Sequence, residues 1–550
     1  MSNHENYRNE IKAYIVRAGM TMSEVVEILA DEYGWSSSVP NLSGKLKRGS
    51  LRYGEAVGLG GVVGSAGGIS NQDGAALQAA SDRFAQVDVE HVRSIGPMVS
   101  QESMRRLCDM LFSRTQEANQ MHTVLAGRAS VSLSRIRRDQ PEILAAAKPI
   151  LVAAPGTLAA LTEPGVLADV AILDACAHIP AIELLSIIGR VQQVVVIAHC
   201  ATVTSESVKQ LIDTLPHIEV DAAPSRRAPR LSAFLESEGY GPVRYDVATE
   251  PAAGEVRFHR VEASGVPVMS SGLVESSQPE IDEVVRLITQ RAAGFAVVPS
   301  SYRLVVVMLT DAFRTRLGAE LKSLAGKSKA MGRFLRHVRL VSLRDVAGGR
   351  ATDVILSMCY AKTTHGRLLQ QFGPLESTGG RGLLLDALAL ADHSLDIVSA
   401  FGSEDLDEER LHQSGPRFLK TMLTWAEQLD DRPVLPLRDA AGGNVLFDDI
   451  ADRLRARGLN AAVDYGFDKG VKIPLVVGLK DKPFALAVQT DDANFMSVQS
   501  TRRRHRLSAQ DLISLGWNVM TVWSVAAFVN PDKEVDRIVS RIGEIYREVE

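Results

Sequence analysis

Few residues of this 550-residue chain stand where they could do chemistry, and the candidates are scattered. Mg²⁺ needs several hard, anionic oxygens at fixed geometry, so one carboxylate alone does not hold a catalytic ion. Cys176, His178, His199 and Cys200 lie at the ends of two predicted strands, D-V-A-I-L-D and Q-V-V-V-I-A. Metal ligation is one reading of them; buried strand-end Cys and His without a ligand role are far commoner. Asp386, His393 and Ser394 have the residue types of a hydrolytic triad, but they crowd one predicted helix and lack a nucleophile elbow. No G-x-x-x-x-G-K-[ST] occurs, and in L-A-G-K-S at 324–328 the first glycine slot is Leu321. The glycine-rich stretch 57–80 follows helical residues rather than a strand, which favours a linker over a phosphate cradle. Two basic clusters remain, one around 45–52 and one made of Arg502, Arg503, Arg504 and Arg506. Each is either a phosphate-binding surface or a solvated face.

Composition narrows the classes. Lys and Arg number 61 against 66 Asp and Glu, a net charge of −5, so any attraction to nucleic acid must come from local patches. The four cysteines include no C-x-x-C and read as reduced thiols rather than a zinc site. No uncharged apolar run has the length of a membrane span, and M-S-N-H-E-N-Y-R does not read as a signal peptide. A cytoplasmic protein of about three or four domains, nucleoid-associated if it binds DNA, is the expectation.

The elements that would position these residues fall into four regions. Residues 8–56 read as three helices. The second opens on Thr21 with Glu24 as a capping box and stops at Gly34; the third, basic helix runs through V-P-N-L-S-G-K-L-K-R-G. Helix, helix, basic helix is the rhythm of a helix-turn-helix, with a plain three-helix bundle as the alternative. Residues 81–147 read as helical. From about 148 the buried-strand candidates P-I-L-V-A-A, D-V-A-I-L-D, Q-V-V-V-I-A, F-A-V-V-P, R-L-V-V-V-M-L and D-V-I-L-S-M alternate with helices. Continuous apolar strands between helices imply parallel sheets covered on both faces. From Leu446 to Phe528 the order is helix, three strands, a basic helix (T-R-R-R-H-R-L-S-A-Q-D-L-I-S-L-G-W) and a strand.

These motifs carry resemblances. N-L-S-G-K-L-K-R-G is similar to the signature of a small bacterial helix-turn-helix family. That implies Ser38, Asn41, Ser43 and Lys45 in the major groove and Lys47, Arg48 and Arg52 on phosphates. The C-terminal region resembles the very-short-patch-repair-like branch of the restriction-endonuclease fold, as fused to bacterial superfamily 1 DNA helicases. That family has Asp, Glu and His where this chain has Pro474, Gln489 and Met496; only Asp491 survives of the acidic set. Residues 148–425 resemble the helicase motor itself, through D-V-A-I-L-D-A-C-A-H-I-P, V-V-V-I-A-H-C-A-T-V-T-S, R-D-V-A-G-G-R-A-T-D-V-I-L-S and H-G-R-L-L-Q-Q-F-G-P-L-E-S-T-G-G. Against that pattern Asp174 keeps the Mg²⁺ acid, but Ala175 takes the place of the Glu beside it. Ala347, Gly348, Gly349 and Arg350 replace Q-G-D-E, and Leu390 replaces the arginine finger. Phosphoryl transfer needs a P-loop, a metal acid pair and arginines. The resemblance therefore implies a helicase–nuclease frame without its chemistry, its first lobe truncated.

The expected fold is multidomain α/β: a helix-turn-helix at 1–58, a linker at 59–80, degenerate RecA-like lobes at 81–290 and 291–430, and an endonuclease-like domain at 435–550. The expected function is a non-catalytic DNA-binding or scaffold protein with no cofactor, no catalytic residue and no metal site beyond the vestigial Asp174 and Asp491. Duplex DNA is the expected partner, with a protein partner or a second copy of the chain as the other class. Two alternatives stand beside it: an ATP-dependent helicase or nuclease with unusual ligands, and a protein-binding regulator of an active helicase.

Overall fold

The computed structural model describes residues 21–33, 36, 38–48, 74–127, 133–162, 165–220, 222–241, 243–250, 253–269, 271–275, 277–429 and 444–549. They belong to two compact units, one within 1–94, 245–253 and 436–550, the other within 95–244 and 254–435.

At the N-terminus, α1 (Met22–Tyr33) and α2 (Val39–Arg48) pack together through Val25, Val26, Leu29 and Leu42, all buried. The capping box forms as its residue types require. Thr21 N donates to Glu24 Oε2 at 2.7 Å, and Glu24 N donates to Thr21 Oγ1 at 3.3 Å. The first helix of the expected trio lies outside the described residues. The next helix, α3 (Gly74–Ser113), already starts inside the stretch read as linker.

In the second unit β1 (Ala168–Leu173) and β2 (Val191–Val196) form a parallel pair, joined through α4 (Ala181–Ile188). A separate five-stranded parallel sheet has the order β3 (Val256–Arg260), β7 (Ala391–Ser399), β6 (Ala351–Ser357), β4 (Leu304–Met308), β5 (Val338–Ser342). Every residue of L-V-V-V-M is buried in β4, as a strand covered on both faces demands. The covering helices include α5 (Pro229–Ser237), α6 (Gln278–Ala293), α7 (Asp311–Lys327), α8 (Gly380–Ala389) and α9 (Ser414–Glu427). Their core is continuous from Ala228 to Leu429. β3 lies in the same sheet as β4, and α6, one of the helices covering that sheet, runs through residues 290 and 291.

Two expected strands are not strands. P-I-L-V-A-A is unpaired, with Val152 95% exposed, and F-A-V-V-P is irregular, with Val297 84% exposed. Conversely, the sequence sets His393 and Ser394 on the helix of Asp386, whereas A-D-H-S-L-D-I-V-S forms β7. Its buried polar residues hid the strand, and they place His393 and Ser394 on β7 rather than on the helix of Asp386.

The C-terminal unit carries a four-stranded mixed sheet. α10 (Val445–Ala456) starts on Asn444, whose side chain accepts from Leu446 N and Phe447 N. β8 (Leu459–Tyr465), β9 (Ile473–Leu479) and β10 (Leu486–Gln489) run antiparallel in order, and β11 (Asn518–Thr521) adds parallel to β10. Between β10 and β11 lies the basic helix α11 (501–514). α12 (Ser524–Val529) and α13 (Pro531–Val549) follow. Val535, Ile538, Ile542 and Ile545 repeat at helical spacing along α13 and bury against Phe447, Ile450 and Leu454 of α10. Each such side chain removed from water stabilises the layer by about 1.5–3 kcal/mol.

Candidate functional site

The sheet of the C-terminal unit loses its regular pairing where a metal site would be expected. Leu475 pairs with Val488, so the next residues outward across β9 and β10 are Pro474 and Gln489, and the ladder stops before them. On the other side Val463 pairs with Leu475 and Tyr465 with Ile473, while Asp464, facing Pro474, is skipped and has φ +47°. Proline cannot donate to a ladder, and the irregularity sits at Pro474. Asp491 accepts from Ser524 N at 2.6 Å and Ser524 Oγ at 2.9 Å, which caps the start of α12. Met496 is 64% exposed. Among the described residues no three His, Cys, Asp or Glu side chains converge as a metal site. A ring nitrogen locked in an amide, a neutral carboxamide and a carboxylate already held by a hydroxyl and an amide do not fit Mg²⁺.

The four arginines expected on phosphates lie on α11, and each already has a partner. Residues Arg503–Leu507 form a π-helical turn. Arg502 donates through Nε and Nη2 to Asp88 Oδ1 of α3, at 2.9 and 2.7 Å. Arg506 Nε is 2.9 Å from Asp88 Oδ2. Arg503 pairs with Asp511 at 3.1 Å, and the Arg504 guanidinium lies 5.8 Å from the centre of the Phe495 ring. His505, between them, contacts the Phe84, Phe495 and Trp523 rings and sits 3.0 Å from Ser81 Oγ. Burial, then the charge of Arg504, holds its pKa below the usual imidazole value.

Of the N-terminal candidates, Asn41 is exposed and Ser38, Ser43 and Lys45 are half-buried, while Leu42 faces α1. The side chains of Lys47 and Arg48, and all of Arg52, lie outside the described residues.

In the second unit the positions set against ATP-site residues come together. A Cβ at Gly348, whose φ is +65°, would lie 2.9 Å from the Ala175 Cβ; one at Gly349 would lie 2.7 Å from Leu390 Cδ1. Ala175 itself has φ +55°. Small or apolar side chains thus meet where the pattern has Glu, Asp and Arg. Beside them His178 bridges Thr204 Oγ1 at 2.9 Å and Asp386 Oδ2 at 2.8 Å, and the His199 ring stacks on Tyr240 at 3.8 Å. Burial lowers the His199 pKa and pushes the Tyr240 phenol up to about 12. Asp386 is therefore the partner of His178, not of His393, and Cys176 is a buried thiol donating to Ile197 O. His393 instead meets Asp353.

Sequence reasoning missed a buried ionic cluster. Arg291 of α6 lies between Asp396 at 2.5 Å and Asp353 at 3.3 Å. His259 and His393 reach the same two carboxylates at 2.9 Å each, and Tyr302 donates to Asp353 at 2.8 Å. The sequence offered one signal, Asp353 at the head of the strand candidate D-V-I-L-S-M. Glu280, fully buried on α6, accepts from Ser357 Oγ at 2.7 Å and Cys359 N at 2.8 Å. Its Oε2 has no hydrogen-bond partner, and burial pushes its carboxyl up to about 7.

No curated protein matches the chain. The family model REase_MTES_1575 matches residues 447–542, the span of the mixed sheet from α10 into α13. Residues 447–542 are a restriction-endonuclease-like domain.

Proposed function

We propose that this chain is a non-catalytic DNA-binding and scaffold protein built on helicase-like and nuclease-like frames. One observation carries the reading. In the restriction-endonuclease-like domain the two positions set against metal acids are Pro474 and Gln489, the next residues beyond the Leu475–Val488 pair where the ladder of β9 and β10 ends, and Asp491 is engaged by Ser524. The frame persists while the charges that would hold Mg²⁺ are replaced. The contact of Ala175, Gly348, Gly349 and Leu390 supports the same view of the helicase-like part. The DNA side of the reading draws on the guanidinium groups of α11 and on Ser38 and the exposed Asn41 at the start of α2.

The test is a duplex-binding titration over a salt series together with incubation of supercoiled plasmid in Mg²⁺ or Mn²⁺. Affinity should fall steeply with salt, as counterion release requires, and the plasmid should stay supercoiled. Removing residues 1–58 should cost roughly 10-fold or more in affinity at moderate salt. Nicking that Gln489→Ala abolishes would overturn the non-catalytic part. A chain that binds no duplex at low salt would overturn the DNA part.

A further inference from the structure

The arginines of α11 are covered by the chain's own acid. Residues 74–94 of α3 lay one face along α11 and α12, at helical spacing: Gly74 against Ala526, Gln78 accepting from Trp523 Nε1 at 3.0 Å, Ser81 and Phe84 on His505, and Asp88 on Arg502 and Arg506. Asp88 is 9% exposed and Arg506 13%. We infer that this stretch is a displaceable acidic cover, in which Asp88 holds the place of a DNA phosphate on Arg502 and Arg506 until duplex DNA takes it. The inference rests on the reading of α11 as a phosphodiester-binding surface and adds its regulation.

Three features separate a cover from a permanent staple. The first is the fit of the anion. Arg502 makes both its bonds to Oδ1, whereas Arg506 Nε approaches Oδ2 out of line, and both of these atoms are buried without a hydrogen bond. Arg504 Nε is a further buried donor without one. A planar carboxylate satisfies one guanidinium here and leaves donors over. A phosphodiester offers the same charge with oxygens in a tetrahedral array, and arginine forks suit it equally. The second is the backbone: the π-helical turn Arg503–Leu507 rotates successive arginines off ordinary helical spacing, and such turns concentrate at functional sites. The third is what holds the cover down. Along α3 only Gly74 and Asp88 are buried, and Val87 beside Asp88 is 55% exposed. A seam of polar contacts with little apolar burial opens at low cost, as regulatory elements must.

The experiment uses the full chain and a labelled duplex of about 20 base pairs, with binding followed by anisotropy across a salt series. Four proteins are compared: wild type, Asp88→Asn, Arg502→Ala with Arg506→Ala, and the triple variant. Asp88→Asn should tighten binding roughly 10-fold with the salt slope unchanged, because duplex engages both guanidinium groups in either protein once the cover is displaced. The gain should vanish in the triple variant. If the arginine pair contributes to affinity but Asp88→Asn binds like wild type or more weakly, the cover is refuted while α11 remains a DNA surface. If the arginine pair contributes nothing in either background, the DNA reading of α11 fails and the cover with it. Hydrogen exchange on the wild type decides independently of how the variants fold. Saturating duplex should speed exchange in residues 74–94, whereas unchanged or slower exchange there would refute displacement.

Discussion

Glu280 is the residue whose chemistry is most at odds with its surroundings. It is fully buried, with one oxygen bonded to Ser357 and Cys359 and the other without a partner. Its carboxyl titrates near 7 in the folded chain against 4.5 as an ordinary glutamate. A raised carboxyl pKa means the folded state prefers the protonated form. That contribution is present below pH 4.5 and is lost as pH rises through about 7. The full swing is on the order of 3 kcal/mol. Glu280→Gln keeps an oxygen acceptor and cannot ionise. It should match wild type near pH 4.5 and gain a growing advantage up to about pH 8, read as the difference in thermal midpoint. A difference that does not vary with pH would show that Glu280 is neutral or screened throughout. At the same scale the apparent triad of Asp386, His393 and Ser394 dissolves, since Asp386 bonds His178 and His393 bonds Asp353.

At the scale of elements, the proposal that the endonuclease-like domain lacks metal chemistry turns on the end of β9 and β10. Pro474→Asp with Gln489→Glu would put two carboxylates opposite each other beyond Leu475 and Val488. Asp491 would still be tied to Ser524 by two bonds. The double variant should therefore bind Mn²⁺ weakly, with a small rise in thermal midpoint at millimolar metal. Adding Ser524→Ala removes the hydroxyl bond and should enlarge that rise, because a ligand that binds only the folded state stabilises it by RT ln(1 + [L]/Kd). Equal responses in all three proteins, wild type included, would mean that the carboxylates are not what decides metal affinity here. The Pro474→Asp change would also leave the ladder repairable, since any residue but proline can donate at that position.

For the whole molecule the same reasoning applies to nucleotide. The positions set against the helicase Glu, Asp and Arg are Ala175, Gly349 and Leu390; a Cβ at Gly349 would crowd Leu390, and one at Gly348 would crowd Ala175. On the proposed reading these positions supply none of the groups that a triphosphate and its Mg²⁺ require. Millimolar ATP–Mg²⁺ should leave the thermal midpoint unchanged, with or without duplex. A rise of several degrees that Asp174→Ala removes would restore the helicase reading. The two-stranded sheet of β1 and β2 keeps Val170, Ile172 and Val195 exposed.

Periodicity and turn chemistry in the sequence determined the local elements that depend on neighbouring residues alone. Thr21 and Glu24 cap α1, L-V-V-V-M is a wholly buried parallel strand, and helix, three strands, basic helix and strand follow one another from α10 to β11. The replacement of acids by Pro474 and Gln489 was legible too, since it is a matter of residue type. Tertiary structure decided what long-range pairing alone can decide. Apolar P-I-L-V-A-A and F-A-V-V-P found no neighbouring strand and stayed out of the sheets, whereas polar A-D-H-S-L-D-I-V-S became β7, where Arg291 and His259 pair with its buried Asp396. The pairing of Asp88 with Arg502, 414 residues apart, follows from no local pattern. An ion pair or a ladder between distant segments depends on where the backbone brings them, and spacing along the chain carries no record of it.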